Sequence, residues 1–173
     1  MNSLRILLTL SLMAIVCGGC GKLTEPAAGP TEKAALPTQA QPKLRTLKLW
    51  LGAEEMNAEL ALTQKEQQTG MMFRTNMTEN AGMLFPLPAT QQASFWMANC
   101  PLPLSAAYID PEGIIREIHD LQPYNTNPVQ SASDNIRFVL ETPRGWFERH
   151  HIGAGTLIRT EQGTLMETFF SRR

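Results

Sequence analysis

The sequence is poor in cysteine and has almost no net charge. It contains three cysteines, and its 15 basic and 16 acidic residues give a formal net charge of −1. No basic stripe is present, so binding to the phosphate backbone of a nucleic acid has little electrostatic support. We therefore expect no nucleic-acid partner. The chain also contains no internal repeat and no block of like charges.

The apolar run near the N-terminus is too short to span a membrane. Residues 6–16 are apolar apart from two hydroxyl side chains, whereas a helix needs roughly 20 apolar residues to cross a hydrocarbon core about 30 Å thick. Arg5 precedes the run and small residues follow it, which is the arrangement of a secretory signal. The sequence therefore predicts a signal peptide over residues 1–19 rather than a permanent transmembrane anchor.

Cys20 lies where a bacterial lipoprotein carries the cysteine that is acylated and becomes the new N-terminus. Gly18 and Gly19 precede it, but Cys17 stands where such sites usually have leucine. The sequence predicts lipidation at Cys20, with plain secretion as the alternative. We then expect an exported lipoprotein that is anchored to a membrane by its N-terminal lipid and faces the periplasm or the cell exterior.

Processing before Cys20 would leave Cys100 as the only free thiol in an oxidising compartment, so no intramolecular disulfide could form. Residues 20–43 are rich in proline and have no apolar periodicity, which predicts a linker after the lipidated cysteine. Residues 44–173 are enough for one domain with an ordinary hydrophobic core. The sequence therefore predicts one β-rich domain behind a tether.

Short alternating segments dominate this domain. Alternating apolar residues over 46–51 and 56–62 predict a hairpin with one buried face. Further strands are predicted at 83–85, 94–98, 106–109, 114–119, 136–141, 155–159 and 164–169. Many short strands separated by turn residues are typical of a sandwich or barrel. The predicted fold is therefore mainly β.

Two short helices are predicted beside the strands. Thr63 and Glu66 form a capping-box pattern, so a helix should begin at Gln64 and end near Gly70. A second helix is predicted between residues 142 and 153, with the threonine as its N-cap and the proline after it at the first helical position.

Three methionine-rich and aromatic motifs stand close together in the chain. They read GMMFR at 70–74, GMLF at 82–85 and FWMAN at 95–99. In order and spacing they resemble the domain of unknown function 192 family, whose members pair G-L-M-F-R with G-M-L-F and W-M-K-N-T. The resemblance covers about residues 47–158 and implies a mainly β, jelly-roll-like sandwich.

The resemblance also implies candidate binding residues. Arg74, Trp96, Asn99 and Glu141 fall on motif positions of the family, which makes them ligand-binding candidates without assigning them a role. The family commonly has threonine where this chain has Cys100 and aspartate where it has Ser105. A conventional enzyme is therefore less expected, and no catalytic residue is assigned.

Each candidate residue has two interpretations. Arg74 could present its guanidinium to an anionic ligand, or it could form an internal ion pair with Glu141, which we favour. Trp96 and Asn99 could form a platform for a small ligand or sugar, or they could be a core tryptophan and a turn-capping amide. Glu141 would accordingly be either a pocket group or the partner of Arg74.

Nucleophilic and metal chemistry have weaker support. Cys100 has no base near it in sequence, because His119, His150 and His151 are all distant, so we favour a packing role. The adjacent histidines cannot face one zinc ion together on a helix. Thioethers suit Cu(I), but methionine also fills irregular cores, and we favour core packing. The methionines concerned are Met71, Met72, Met77, Met83 and Met97.

The sequence thus predicts an exported domain that binds a small ligand or a protein partner in the cell envelope, without a cofactor. The alternatives are an enzyme acting on an extracytoplasmic substrate and a copper-binding protein with methionine ligands. A deep pocket uniting Arg74, Asn99 and Glu141, with strongly perturbed pKa values, would favour the enzyme. A shallow aromatic surface would favour binding.

Overall fold

The computed structural model describes residues 36–171. The predicted signal peptide, Cys20 and most of the predicted linker lie outside the described residues. Within the described range, no helix is both long and apolar enough to cross a membrane.

The described residues form ten strands and three short helices. The strands are β1 (Thr46–Leu51), β2 (Glu54–Leu60), β3 (Ala81–Gln91), β4 (Ser94–Phe95), β5 (Leu104–Ile109), β6 (Ile115–Leu121), β7 (Val129–Gln130), β8 (Ile136–Pro143), β9 (Ile158–Thr160) and β10 (Gly163–Thr164). The helices are α1 (Gln64–Thr69), α2 (Trp146–Arg149) and α3 (Leu165–Phe170). The prediction of a mainly β fold is confirmed, with one helix more than expected.

Eight strands form one sheet in the order β10-β9-β1-β2-β3-β8-β5-β6, which curls into a half-barrel. β1 and β2 form the predicted antiparallel hairpin. β2 and β3 are parallel, so the chain must cross over between them, and α1 lies in this crossover. Strands β4 and β7 pair separately as a two-stranded sheet.

The curl brings the first residues of β6 close to the segment before β9. Ile114 forms an isolated antiparallel bridge with Leu157, and the amide of Ile115 donates to the carbonyl oxygen of Thr156 at 2.9 Å. These contacts join two parts of the sheet that are six strands apart in its order.

Alternation along the central strands divides the core into two clusters on opposite faces of the sheet. Leu84 and Leu140 face the cluster that contains Trp146. Met83, Phe85, Ala106, Tyr108 and Val139 belong to the other cluster. Glu141 follows Val139 by two residues on β8 and pairs with Met83 and Ala106. Its side chain is therefore on the face of the second cluster.

The predicted helix after Thr63 is confirmed with its cap. The amide of Glu66 donates to Oγ1 of Thr63 at 3.2 Å, and Oε2 of Glu66 accepts from the amide of Thr63 at 2.8 Å. The second helix begins later than predicted, at Trp146 with Gly145 as its N-cap. Thr142 and Pro143 instead continue β8, where they pair with β5.

The strand predicted at 164–169 is wrong, because this segment forms α3. Thr164 and Glu167 form a second capping box, in which the amide of Glu167 donates to Oγ1 of Thr164 at 3.1 Å. Phe169 and Phe170 on this helix pack against Phe138 of β8, with ring centroids 6.1 and 5.8 Å away. Tertiary packing of a helical face therefore decides this segment.

Candidate functional site

A cavity of about 270 Å³ lies between α1, the segment after β4 and the face of the sheet that carries β3, β8 and β5. Its walls are mainly apolar and rich in sulfur and aromatic rings. They include Met71, Met72, Phe85, Leu87, Phe95, Trp96, Met97, Ala98, Cys100 and Leu104. This is the lining expected of a site for a small, largely apolar molecule.

Helix α1 is fixed over the cavity by side-chain hydrogen bonds. Nε2 of Gln67 donates to the carbonyl oxygens of Ala61 at 3.1 Å and Pro86 at 2.7 Å, which ties the helix to the residue after β2 and to the middle of β3. The chain then turns at Gly70, whose φ of 46° is in the left-handed region where glycine is favoured. This turn directs Met71 and Met72 into the cavity wall.

Glu141 lies at the floor of the cavity. Its side chain is on a central strand, the residue is 4% exposed, and Oε2 has no hydrogen-bond partner within the described part of the chain. No lysine, arginine or histidine is among the residues that line the cavity. Burial raises the pKa of Glu141 to about 8, because an ionised carboxylate without a partner is costly to remove from water. The carboxyl group is therefore mostly protonated at neutral pH.

Two other ionisable groups lie close to Glu141. Burial, with a smaller contribution from Glu141, raises the pKa of the Cys100 thiol to about 11. Burial, with smaller contributions from Glu141 and Glu117, also raises the pKa of Tyr108, whose hydroxyl donates to the carbonyl oxygen of Val129 at 2.7 Å. Cys100 is therefore a protonated thiol, which is the opposite of an activated nucleophile.

Arg74 does not pair with Glu141, so that prediction is wrong. Nη1 and Nη2 of Arg74 donate to the two carboxylate oxygens of Glu59 on β2 at 2.7 and 2.8 Å. Oε2 of Glu59 also accepts from the amide of Leu44 at 2.7 Å. The bidentate pair lines a separate cavity of about 500 Å³. Arg74 thus joins the turn after α1 to β2 and to the start of the domain.

Trp96 and Asn99 have different positions. Trp96 is 44% exposed and forms part of the cavity wall. Asn99 has a φ of 56°, and its carbonyl oxygen accepts from the amide of Phe73 at 2.7 Å. Asn99 therefore shapes the turn before Cys100, and it is not among the residues that line the cavity. Of the four predicted binding residues, the structure brings together Trp96 and Glu141.

Comparison with known proteins gives the family. The family profile described as "Uncharacterized ACR", for domain of unknown function 192, matches residues 48–160. The chain belongs to this family. No curated protein matches the sequence.

Two solved structures are similar to this member of the domain of unknown function 192 family. One is a candidate transcription regulator from Sinorhizobium meliloti, with a TM-score of 0.66, 27% identity, and coverage of 70% of this chain and 98% of that protein. The other is a protein of unknown function from Novosphingobium aromaticivorans, with a TM-score of 0.64, 28% identity, and coverage of 73% of this chain and 94% of that protein.

The three motifs that carry the resemblance to domain of unknown function 192 meet at the cavity. The segment 70–74 contributes its glycine and both methionines, 82–85 contributes its phenylalanine, and 95–99 contributes its first four residues. The polar residues of α1 that line the cavity were not among the predicted site residues. The capping box before them located the helix but gave no sign that its far end covers a cavity.

The predicted methionines are divided between the cavity and the core. Met71, Met72 and Met97 line the cavity together with Cys100. Met83 is buried in the second cluster, and Met77 packs against that cluster from a half-buried position. Among the described residues, no group of three or more histidine, cysteine, aspartate or glutamate side chains could hold a metal ion.

Proposed function

We propose that this protein is an exported, lipid-anchored binding domain that holds a small, largely apolar molecule in the cavity beneath α1. The observation that carries the proposal is the carboxyl group of Glu141, which is buried at the cavity floor with an oxygen that lacks a partner in the described domain. An unpaired buried polar atom costs about 1 to 3 kcal/mol. A ligand that supplies the missing hydrogen bond would remove that cost.

The arrangement supports binding more than catalysis. Arg74 is paired with Glu59, and Asn99 lies outside the cavity wall. Burial keeps Cys100 as a thiol. None of the three histidines is among the residues that line the cavity, so none can act there as a base for this thiol. The polar constellation that would favour an enzyme is therefore not assembled around Glu141.

The proposed location rests on the N-terminal sequence. A short apolar run, small residues before Cys20 and a proline-rich segment after it are the features of a tethered lipoprotein. The balanced charge gives no support to a nucleic-acid partner. A small molecule of the cell envelope is the ligand that fits both location and cavity.

Native mass spectrometry of the protein purified from its own cell envelope tests the proposal. We expect a retained small molecule on the wild type and its loss from Trp96→Ala, which removes an exposed part of the cavity wall. Tyr124→Ala is the matched control, because Tyr124 is 65% exposed and does not line this cavity. Wild-type protein without any adduct, or equal retention by Trp96→Ala, would contradict the proposal.

Copper binding is the second candidate function, because three thioethers and one thiol line the same cavity and soft sulfur ligands suit Cu(I). A Cu(I) site would raise the melting temperature under anaerobic conditions, and Met72→Leu or Met97→Leu would abolish the rise. Met77→Leu is the control, since Met77 lies outside this cavity. We expect no saturable shift, since the oxygen at the cavity floor is a hard ligand.

A further inference from the structure

The groups around Glu141 show what a ligand would have to supply. β3 places Met83 beside it, and α1 presents only uncharged residues to the cavity. β5 contributes Tyr108, and the segment after β4 contributes Cys100. Both of these groups are neutral when protonated and negative when ionised, so neither can neutralise a carboxylate. β6 places His119 two strands away on the same face, with its ring centroid 5.4 Å from that of Tyr108 and its Nε2 2.7 Å from Oε2 of Glu117. No positively charged side chain of the described domain lines the cavity, so an ammonium group opposite Glu141 would be supplied by the ligand.

We infer that the ligand carries a primary ammonium group, which donates a hydrogen bond to Glu141, and an apolar body that lies against Met72, Met97 and Trp96. This inference rests on the proposed function, because it names the chemical class of the ligand in the same cavity. It also gives the orientation of the ligand in the cavity: the charged end lies at the floor and the apolar end lies towards the exposed tryptophan.

Three properties of the site favour this class. A charge-assisted hydrogen bond from an ammonium to a carboxylate is about twice as strong as a neutral one, and a quaternary ammonium has no N–H to donate. The large ring of Trp96, in the exposed part of the cavity wall, offers apolar contact area to the other end of the ligand. An anionic ligand could bind only while Glu141 stays protonated, because ionisation would place two negative charges together in a buried site, so its affinity would fall with rising pH.

The size of the cavity limits the apolar body. Its volume of about 270 Å³ corresponds to roughly nine water molecules at about 30 Å³ each. A ligand of roughly ten non-hydrogen atoms therefore fills it. Phenethylamine has this size and the required ammonium group, and phenethyl alcohol has the same shape with a neutral donor.

Binding of an ammonium should release a proton. Since burial holds the pKa of Glu141 near 8, the empty cavity contains a carboxylic acid at neutral pH. Entry of the ammonium ion converts the acid to a carboxylate and transfers its proton to solvent, and no other bond changes. The affinity should therefore rise roughly tenfold per pH unit below pH 8, in proportion to the ionised fraction. Above pH 8 the affinity should stay roughly constant, and it should fall again when the amine itself deprotonates near pH 10.

Isothermal titration calorimetry on the full chain tests this inference with phenethylamine at pH 6, 7 and 9 in buffers of different ionisation enthalpy. We expect roughly a hundredfold tighter binding at pH 9 than at pH 6, with close to one proton released per ligand at pH 6. Glu141→Gln should weaken binding at pH 9 and remove the pH dependence. Glu79→Gln is the control, because Glu79 is an exposed carboxylate outside the cavity.

The neutral probe separates the two proposals. If phenethyl alcohol binds as tightly as the amine, without proton release and with loss in Trp96→Ala, the cavity is a binding site but the ammonium inference is wrong. If neither probe binds and native protein retains no adduct, both proposals are wrong. Should Glu141→Gln fail to fold, the pH dependence and proton release of the wild type still decide the question.

Discussion

The carboxyl group of Glu141 links the stability of this protein to pH. An unfolded chain releases this proton near pH 4.3, whereas burial in the folded state raises the pKa to about 8. Between these values the folded protein holds a proton that the unfolded chain has lost. The stability from this group is therefore complete below about pH 4 and is lost as the pH rises towards 8.

Urea unfolding of the wild type and Glu141→Gln at several pH values measures this link. The glutamine is neutral at every pH. The free energy of unfolding of Glu141→Gln should therefore exceed that of the wild type by an amount that grows by about 1.4 kcal/mol per pH unit up to about pH 8 and then stays constant. Glu112→Gln, on the exposed surface, should show no such growth. A difference between wild type and Glu141→Gln that does not vary with pH would contradict the burial of an unpaired carboxyl group.

The pairing of Arg74 with Glu59 makes a second prediction. Both side chains are largely buried, so Arg74→Met or Glu59→Gln alone should cost about 2 to 4 kcal/mol in urea unfolding, because each leaves one unpaired charge. The double substitution should cost clearly less than the sum. In the parallel cycle, Arg74→Met and Glu141→Gln should be additive within about 0.5 kcal/mol. Coupling of Arg74 to Glu141 rather than to Glu59 would refute the observed pairing.

The partner of Arg74 could not be predicted from the sequence. Glu59 lies 15 residues before Arg74, and nothing in an alternating strand shows which of its acids will face a distant turn. The turn after α1 decides this, since the amide of Phe73 donates to the carbonyl oxygen of Asn99 at 2.7 Å and thereby holds the next residue, Arg74, where it meets Glu59. The depth of Glu141 has the same origin, because it depends on β3 and β5, which come from other parts of the chain.

At the scale of the secondary-structure elements, the two capping boxes are matched but have different neighbours. Thr63 caps α1, which covers the cavity, and Thr164 caps α3, which packs on the other core cluster. Thr63→Ala and Thr164→Ala should each cost about 1 kcal/mol in thermal or urea unfolding. Only Thr63→Ala should also weaken binding of phenethylamine in calorimetry. An equal effect of both substitutions on binding would contradict the role of α1 as the cavity wall.

Element prediction succeeded where a local signal and the tertiary structure agree. The hairpin of β1 and β2 follows from alternation, and α1 follows from its capping box. At 164–169 the apolar residues fit a strand, but the sequence Thr-Leu-Met-Glu is itself a capping-box pattern, and the segment forms a helix. At residues 142 and 143 the cap signal was local and misleading, since pairing with Ser105 and Leu104 extends β8 instead.

At the scale of the whole molecule, the predicted anchor can be tested without a ligand. Cys20→Ser should release the protein from membranes into the soluble exported fraction, because stable anchoring requires the acyl chains on that residue. Cys100→Ser is the matched control, since Cys100 is buried in the domain, and this variant should stay with membranes. Immunoblots of fractionated cells measure both. Equal membrane association of the wild type and Cys20→Ser would rule out the lipid anchor.

The order of strands in the sheet has a consequence for how the chain acquires its structure. β1 lies near the start of the domain, yet one of its edges pairs with β9, so Leu49 meets Thr160. A ribosome or a secretion channel delivers the chain from its N-terminus, and the edge of β1 must therefore wait for residues 158–160 to arrive. Folds dominated by such distant pairings form over roughly milliseconds to seconds. Until those residues arrive, one edge of β1 stays unpaired, and an unpaired strand edge can pair with another chain.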